Sequence, residues 1–289
     1  MLKNRLALSF LCLEIIVSIL SYQTAFSQTP NEFYNTVLLN KLNTDKSYTS
    51  LRNNIITEFK DRSSGNWGEF VKGVARTIYV KNKSIAFTFD ACGGKNGNGY
   101  DKELIEYLRQ EKIPATLFVS GKWIDSQFQV FLELSRDTLF EIDNHGLNHK
   151  PCSIDGESAY GIKGTTGIGE AFDEIEANAR KIEAITGHKP HYYRSATAFT
   201  DEACVSMASE LGVRVVSYQV LSGDAVPFLP DTIIVNNVIK KTKPGAIIIM
   251  HFNHPEWNTK EAMEKIVPEL RKKGYSFVRL NDSRLILVK

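Results

Sequence analysis

Apolar residues recur along this chain in two alternating periods. Seven short runs, Ser84–Asp90, Ala115–Val119, Leu139–Asn144, His191–Arg194, Val213–Gln219, Ala246–His251 and Ser276–Leu280, are of strand length and rich in Val, Ile, Phe and Tyr. Between them lie stretches with helical spacing: Lys102–Glu111 sets Leu104, Ile105 and Leu108 on one face, and Asp173–Thr186 does the same with Ile175, Ile182 and Ile185. Gly187, Gly212 and Gly274 each follow a helical stretch and precede the next strand, as helix stops do. Strands that alternate with crossover helices imply parallel pairing. Residues 28–65 read differently, as a polar, helix-leaning preamble in which Phe33, Val37, Leu38, Leu42, Leu51, Ile55 and Phe59 recur at roughly helical spacing. Ser63-Ser64-Gly65-Asn66 ends it.

Four of the predicted strands finish on a residue able to do hydrolytic chemistry: Asp90, His145, Arg194 and His251. In a closed ring the carboxyl ends of parallel strands share one mouth, whereas an open doubly wound sheet offers a single crevice. Reactive residues after the first, third, fourth and sixth strands therefore favour an α/β fold of the seven-stranded (β/α) barrel kind. The one long interruption, Cys152–Gly169, is rich in Gly, Ser and Thr and contains Tyr160. It follows a histidine pair directly, and loops of that length are commonly functional or mobile.

His145 and His149, four residues apart, project to one side if the segment turns helically, and they suit a divalent ion; the plain alternative is two loop histidines bonded to backbone. Asp90 closes an apolar strand, where partial desolvation raises a carboxyl pKa and suits a general base unless an ion or arginine lowers it again. Otherwise it caps the Gly93-Gly94 turn. Gly93, Gly94, Gly97 and Gly99 lack the Lys-Ser/Thr of a phosphate-cradling loop. Arg194 at a barrel mouth would pair most naturally with Asp90, a surface arginine being the other reading. His251 ends a strand too apolar to be solvated, so it is either a satisfied core histidine or a general acid poised near neutral pH. Asp224 by itself is only a turn aspartate. His254 is a weaker candidate, and His188 and His191 read as surface and strand-entry residues.

The charge balance, 35 basic against 33 acidic residues, gives no reason to expect a nucleic-acid or anionic-membrane partner. The first 27 residues read as an export signal, with Lys3 and Arg5 before the apolar stretch Leu6–Leu20 and a small-x-small site at Ala25-Phe26-Ser27. An uncleaved anchor is the competing reading. After cleavage the chain would divide into the preamble, 28–65, and a barrel, 66–289, secreted or periplasmic and without stable membrane insertion. Cys92, Cys152 and Cys204 would then sit in an oxidising setting. Cys92 and Cys152 closely follow Asp90 and His149 at the same mouth, so a Cys92–Cys152 bridge is the expectation, against three reduced, buried cysteines.

In order and spacing these residues resemble the polysaccharide deacetylases of the NodB-homology type, over nearly all of residues 66–280. Thr88-Phe89-Asp90 is similar to the start of that family's TFDD motif, and His145 through His149 to its H-x-x-x-H metal motif. Arg194 resembles the arginine of the third motif, Asp224 the aspartate of the fourth, and Ile249-Met250-His251 the histidine of the fifth. The resemblance implies a distorted seven-stranded barrel that binds a divalent metal, usually zinc, and removes acetyl groups from N-acetylated sugars or O-acetylated xylan-like polymers. It implies Asp90 as general base, His145 and His149 as metal ligands, Arg194 as the residue orienting Asp90, and His251 as general acid tuned by Asp224.

One departure matters. The family's second aspartate, normally the third metal ligand, is replaced by Ala91, and catalytic zinc usually has three protein ligands. Asp90 turning to the metal is the favoured solution, because strand alternation puts residue 91 on the opposite face; a Cys92 thiolate and Asp143 are the other routes. Ser195-Ala196-Thr197 stands where the family usually has proline and glycine, which alters the backbone that would donate to an oxyanion. The string Phe89-Asp90-Ala91-Cys92-Gly93-Gly94, with Asn253-His254-Pro255, resembles a sub-branch of the family. Phe252, Trp257 and Tyr160 are aromatic candidates for stacking on sugar rings. The expectation is an exported metal-dependent hydrolase that removes acetyl groups from an N- or O-acetylated carbohydrate. Its rivals are a non-catalytic carbohydrate-binding barrel and a C–N hydrolase of a small non-sugar amide.

Overall fold

The computed structural model describes residues 30–289; the export-signal and anchor readings of residues 1–27 lie outside the described residues. Seven strands, β1 (Ser84–Ala91), β2 (Ala115–Val119), β3 (Phe140–Asn144), β4 (Tyr192–Tyr193), β5 (Arg214–Val215), β6 (Val220–Leu221) and β7 (Ile247–His251), form one curved sheet. Their order is β5-β4-β3-β2-β1-β7-β6, and every neighbouring pair is parallel. The edge strands β5 and β6 do not ladder to each other. Instead the chain itself crosses from one to the other through Val216–Gln219, with Ser217 N–H donating to the Ala75 carbonyl and Gln219 N–H to that of Ile247, both at 2.8 Å. The strand Ala75–Ile78 fills this gap, bridging Val216 on one side and Ala246 on the other.

Two strand expectations are thereby corrected. The run Val213–Gln219 holds only the two-residue strand β5 and then the crossing that leads to β6, because the backbone groups of Ser217 and Gln219 bond to Ala75 and Ile247 rather than to one continuous neighbour. The last expected strand shrinks to Ser276–Phe277, which pairs only with Ser84 and Ile85 at the start of β1 and is no stave of the barrel.

Side-chain alternation sorts the strands into two layers. Ile85, Phe87, Phe89 and Ala91 of β1, with Leu117 and Val119 of β2 and Ile248 and Met250 of β7, face an outer apolar core shared with the surrounding helices. Ala86, Phe118, Val216 and Ile247 pack inside the ring. Asp90 continues the inward set of β1 and His251 that of β7, and the two are register partners. Their arrival at one mouth is a consequence of strand parity.

The preamble folds into helices Asn35–Leu42 and Lys46–Phe59, the second capped by the Asp45 side chain. Leu38, Leu42, Tyr48, Ile55 and Phe59 join a second core with Leu147, Phe172 and Tyr193. Asn35 Nδ2 donates to the Leu147 carbonyl at 2.7 Å, and the buried Lys181 ammonium donates to Asn35 Oδ1 at 2.7 Å. The preamble thus lies behind the segment that carries both histidines.

The disulfide joins Cys152 to Cys204, with Cα atoms 6.0 Å apart, and Cys92 is free. The expected Cys92–Cys152 bridge is not formed. Beyond His149 the chain leaves the mouth: Cys152 pairs with Thr200, and its N–H donates to Ser195 Oγ at 2.7 Å. That places it against the first turn of the helix Glu202–Glu210, which holds Cys204. No described helix is long and apolar enough to cross a membrane.

Candidate active site

Asp90 Oδ1 accepts a hydrogen bond from Arg194 Nη1 at 2.6 Å, and both side chains are buried. Arg194 is fully enclosed: Nη2 donates to the Ser217 carbonyl at 3.0 Å, Nε to that of Val216 at 3.3 Å, and the guanidinium lies 4.2 Å from the centre of the Phe118 ring. Those two carbonyls belong to the crossing segment, so the break in the sheet supplies acceptors that a continuous ladder would have consumed. Burial pushes the Asp90 carboxyl upward, but Arg194, His145 and His251 outweigh it and hold the group below the usual carboxylate range. Asp90 is an anion ready to accept a proton.

His145 Nδ1 lies 2.8 Å from the Arg194 carbonyl oxygen, to which it can only donate, so Nε2 keeps its lone pair. Burial lowers the pKa of this ring, in keeping with a neutral imidazole. Its Nε2 faces Asp90 Oδ2 at 3.7 Å and Cys92 Sγ at 3.9 Å. The segment from His145 to His149 does not turn as a helix; His149 adopts φ 55°, and that left-handed bend brings its ring centre to 4.9 Å from that of His145.

A residue that the sequence reading missed supports this bend. The buried Glu174 carboxylate accepts from Asn148 N–H at 2.9 and 3.0 Å and from Lys150 N–H at 2.9 Å, flanking His149 on both sides. Gly146, at φ 83°, passes so close that a Cβ there would strike the carboxylate. Burial raises the Glu174 pKa to about 7. The available signal was position: Glu174 lies three residues after Ala171 and four before Asn178, all three buried.

His251 Nδ1 lies 3.1 Å from Asp224 Oδ1, and His251 N–H donates to Asp224 Oδ2 at 2.7 Å. Asp224 also accepts from the hydroxyls of Ser222 at 2.8 Å and Thr259 at 3.2 Å, so it is far more than a turn aspartate. Burial would lower the His251 pKa, but Asp224 and then Cys92 outweigh it and the pKa stands well above the usual histidine value.

Among the described residues one set of metal-type donors converges: Cys92, His145 and His149, whose ligand atoms all lie within 4.8 Å of one another. His149 Nε2 is buried and has no hydrogen-bond partner. A divalent ion fits both observations. Asp90 stands beside this set, bound to Arg194. Asp143 is engaged elsewhere, its Oδ1 accepting from the N–H groups of His191 and Tyr192, each at 2.9 Å.

The family model described as polysaccharide deacetylase matches residues 78–216. The chain is similar to the polysaccharide deacetylases over those residues. Peptidoglycan-N-acetylmuramic acid deacetylase PdaA of Bacillus subtilis is 26% identical to it over 216 residues, which is 70% of this chain and 72% of that protein. The uncharacterized protein YlxY of Bacillus subtilis is 27% identical over 180 residues, 62% of this chain; the match spans about half of YlxY, 51%. The solved structure of BA3943 from Bacillus anthracis, described as a CE4 family pseudoenzyme, shares the fold with a TM-score of 0.61 at 19% identity, covering 81% of this chain and 80% of that one.

The barrel opens onto a cleft of about 450 Å³ that reaches Asp90, Cys92, His145, His149 and His251. The long Cys152–Gly169 loop forms a small hairpin, Ser158–Ala159 with Ile162–Lys163, that brings the exposed Tyr160 to the cleft, its ring 5.6 Å from Phe199. Trp257 lines the other side and stacks on His254 at 3.6 Å. Phe252, considered for sugar stacking, is fully buried against Trp123 and unavailable to a ligand. Thr197 and Ala198, where the family usually has glycine nearby, adopt φ 62° and 60°; Thr197 lines the cleft. Two successive non-glycine residues in that region are strained.

Proposed function

We propose that this chain is an exported, metal-dependent hydrolase that removes acetyl groups from an acetylated carbohydrate. The observation that carries the reading is the convergence, at one cleft, of an ionised carboxylate held by a buried arginine, the two imidazoles of His145 and His149, and a third histidine held by a buried aspartate. A divalent ion on His145 and His149, zinc by donor type, would supply Lewis-acid polarisation of the acetyl carbonyl and a lowered water pKa. Asp90 takes the proton from the attacking water, and Arg194 keeps it ionised and aimed. His251, its Nδ1–H held by Asp224, gives a proton from Nε2 to the departing nitrogen or oxygen. A C–O bond to the water oxygen forms, the acetyl C–N or C–O bond breaks, and acetate leaves. The apparent signal in residues 1–27 and the Cys152–Cys204 disulfide support export.

The name of PdaA makes acetylated cell-wall glycan the first substrate to try. Zinc-loaded protein is expected to release acetate from at least one of peptidoglycan, chitooligosaccharides and acetylated xylan. No release from any of them would end the proposal.

Ala91 and the likeness in fold to a pseudoenzyme favour one second reading, a barrel that binds carbohydrate without cleaving it. On that reading sugar binding survives His145→Ala and no acetate appears. The intact hydrogen bonding of Asp90, Arg194, Asp224 and His251 favours the hydrolase.

A further inference from the structure

We propose that Cys92 supplies the third protein ligand, making a site of one thiolate and two imidazoles where the family usually sets a carboxylate. The inference rests on the reading that the histidine pair holds a divalent ion, and deepens it.

Strand parity selects the residue. Along β1, Asp90 points into the mouth while Ala91 turns outward and is fully buried in the apolar core. Residue 92 is therefore the next to return to the mouth. Its backbone is fixed there by the Ser120 hydroxyl, which donates to the Cys92 carbonyl at 2.6 Å. Ala91 carries no donor atom, whereas the thiol at 92 already lines the cleft.

The distances agree. Zinc bonds of about 2.3 Å to sulfur and about 2.0–2.1 Å to nitrogen, in a tetrahedral shell, put S and N roughly 3.6 Å apart. Cys92 Sγ and His145 Nε2 are 3.9 Å apart, so a shift of a few tenths of an ångström closes the shell. The orphaned His149 Nε2 supplies the third corner.

Asp90 is then spared for proton transfer. Its Oδ1 is committed to Arg194, and nothing requires it to serve as both ligand and base. Pairing also isolates Cys92: Cys152 and Cys204 are joined to each other, which leaves this thiol with no disulfide partner among the described residues. In an oxidising compartment a cleft-lining thiol is exposed to oxidation, and coordination masks it. On binding, the S–H bond breaks, the sulfur pair forms the bond to the ion, and the proton passes to solvent. A thiolate donor favours zinc or cobalt over magnesium or manganese.

Cobalt titration of the purified chain tests this through absorption rather than activity. The wild-type protein is expected to bind one Co2+ with a near-ultraviolet sulfur-to-cobalt charge-transfer band; Cys92→Ser should lose the band and bind at least about 10-fold more weakly, while Asp90→Asn keeps it. Should Cys92→Ser fail to fold, alkylation of the wild-type protein, mapped to Cys92 by peptide mass spectrometry, gives the same answer, with zinc expected to protect the thiol. Cobalt bound without the sulfur band, or Cys92 alkylated equally with and without zinc, overturns the proposal and leaves a metal-dependent deacetylase with another ligand. If the wild-type protein binds no cobalt or zinc at all, both the ligand set and the metal reading fall.

Discussion

Arg194 and Asp90 share one charge-assisted hydrogen bond of 2.6 Å, with both side chains sealed from solvent. Removing either partner leaves the other charged and buried, which costs about 3–5 kcal/mol. Arg194→Met is expected to lower the unfolding free energy by that order, measured by urea denaturation near pH 7. Asp90 adds a sign. Its pKa is depressed in the fold, so its contribution is present above the unfolded carboxylate value and lost as pH falls through the folded one. Wild-type stability should therefore decline in acid, and the decline should be smaller in the variant. Equal pH dependence of the two proteins would contradict the pairing.

His251 titrates in the opposite sense. Its pKa is raised by Asp224, so the protonated form persists to higher pH, with stabilisation full below the unfolded histidine value and lost as pH rises through the folded one. Asp224→Asn is expected to move the alkaline limb of the kcat/KM profile to lower pH and to slow the reaction by about 10²-fold. An unmoved alkaline limb would show that His251 is not the acid.

Glu174 offers a test of the support behind His149. Its pKa rises from 4.5 to about 7, so it binds a proton in the folded state that the unfolded chain gives up. The stabilisation is present below about 4.5 and lost as pH rises through about 7. Relative to Glu174→Gln, wild-type protein should lose on the order of 2–3 kcal/mol between pH 4.5 and 7, read from urea unfolding across that range. Parallel curves for the two proteins would contradict it.

The Cys152–Cys204 bridge closes a separation of 52 residues and ties the strained Thr197–Ala198 turn to the chain that follows His149. Replacing both cysteines by serine is expected to cost about 2–4 kcal/mol and to lower Tm, while Cys92→Ser in metal-free protein leaves the reducing-agent dependence of Tm unchanged. A Tm insensitive to reduction in the wild-type protein would exclude the bridge.

Much of the site was legible because each strand is an apolar run ended by one polar residue, and parity then sends Asp90 and His251 to the same mouth. What was hidden depends on distant partners. Nothing local to Val213–Gln219 says that Ser217 and Gln219 will bond to Ala75 and Ile247, so one run reads as one strand. Cysteine pairing turned on where the chain goes after His149, toward Thr200 and away from the mouth. Glu174 sits among Asp173 and Glu176, a cluster that reads as a solvated face until the helix is placed against the histidine segment. Parity placed residue 91 in the outer core, where it lies, but nothing local to Asp90 says that its Oδ1 will accept from Arg194 or that Cys92 will stand beside the two histidines.

Zinc-dependent acetate release tests the central claim most directly. Protein stripped by a chelator and assayed on peptidoglycan and chitooligosaccharides is expected to be inactive, to regain activity on addition of one zinc ion per chain, and to remain inactive as Asp90→Asn despite binding zinc. Acetate released at the same rate by stripped and reloaded protein, or full activity in Asp90→Asn, would contradict the account.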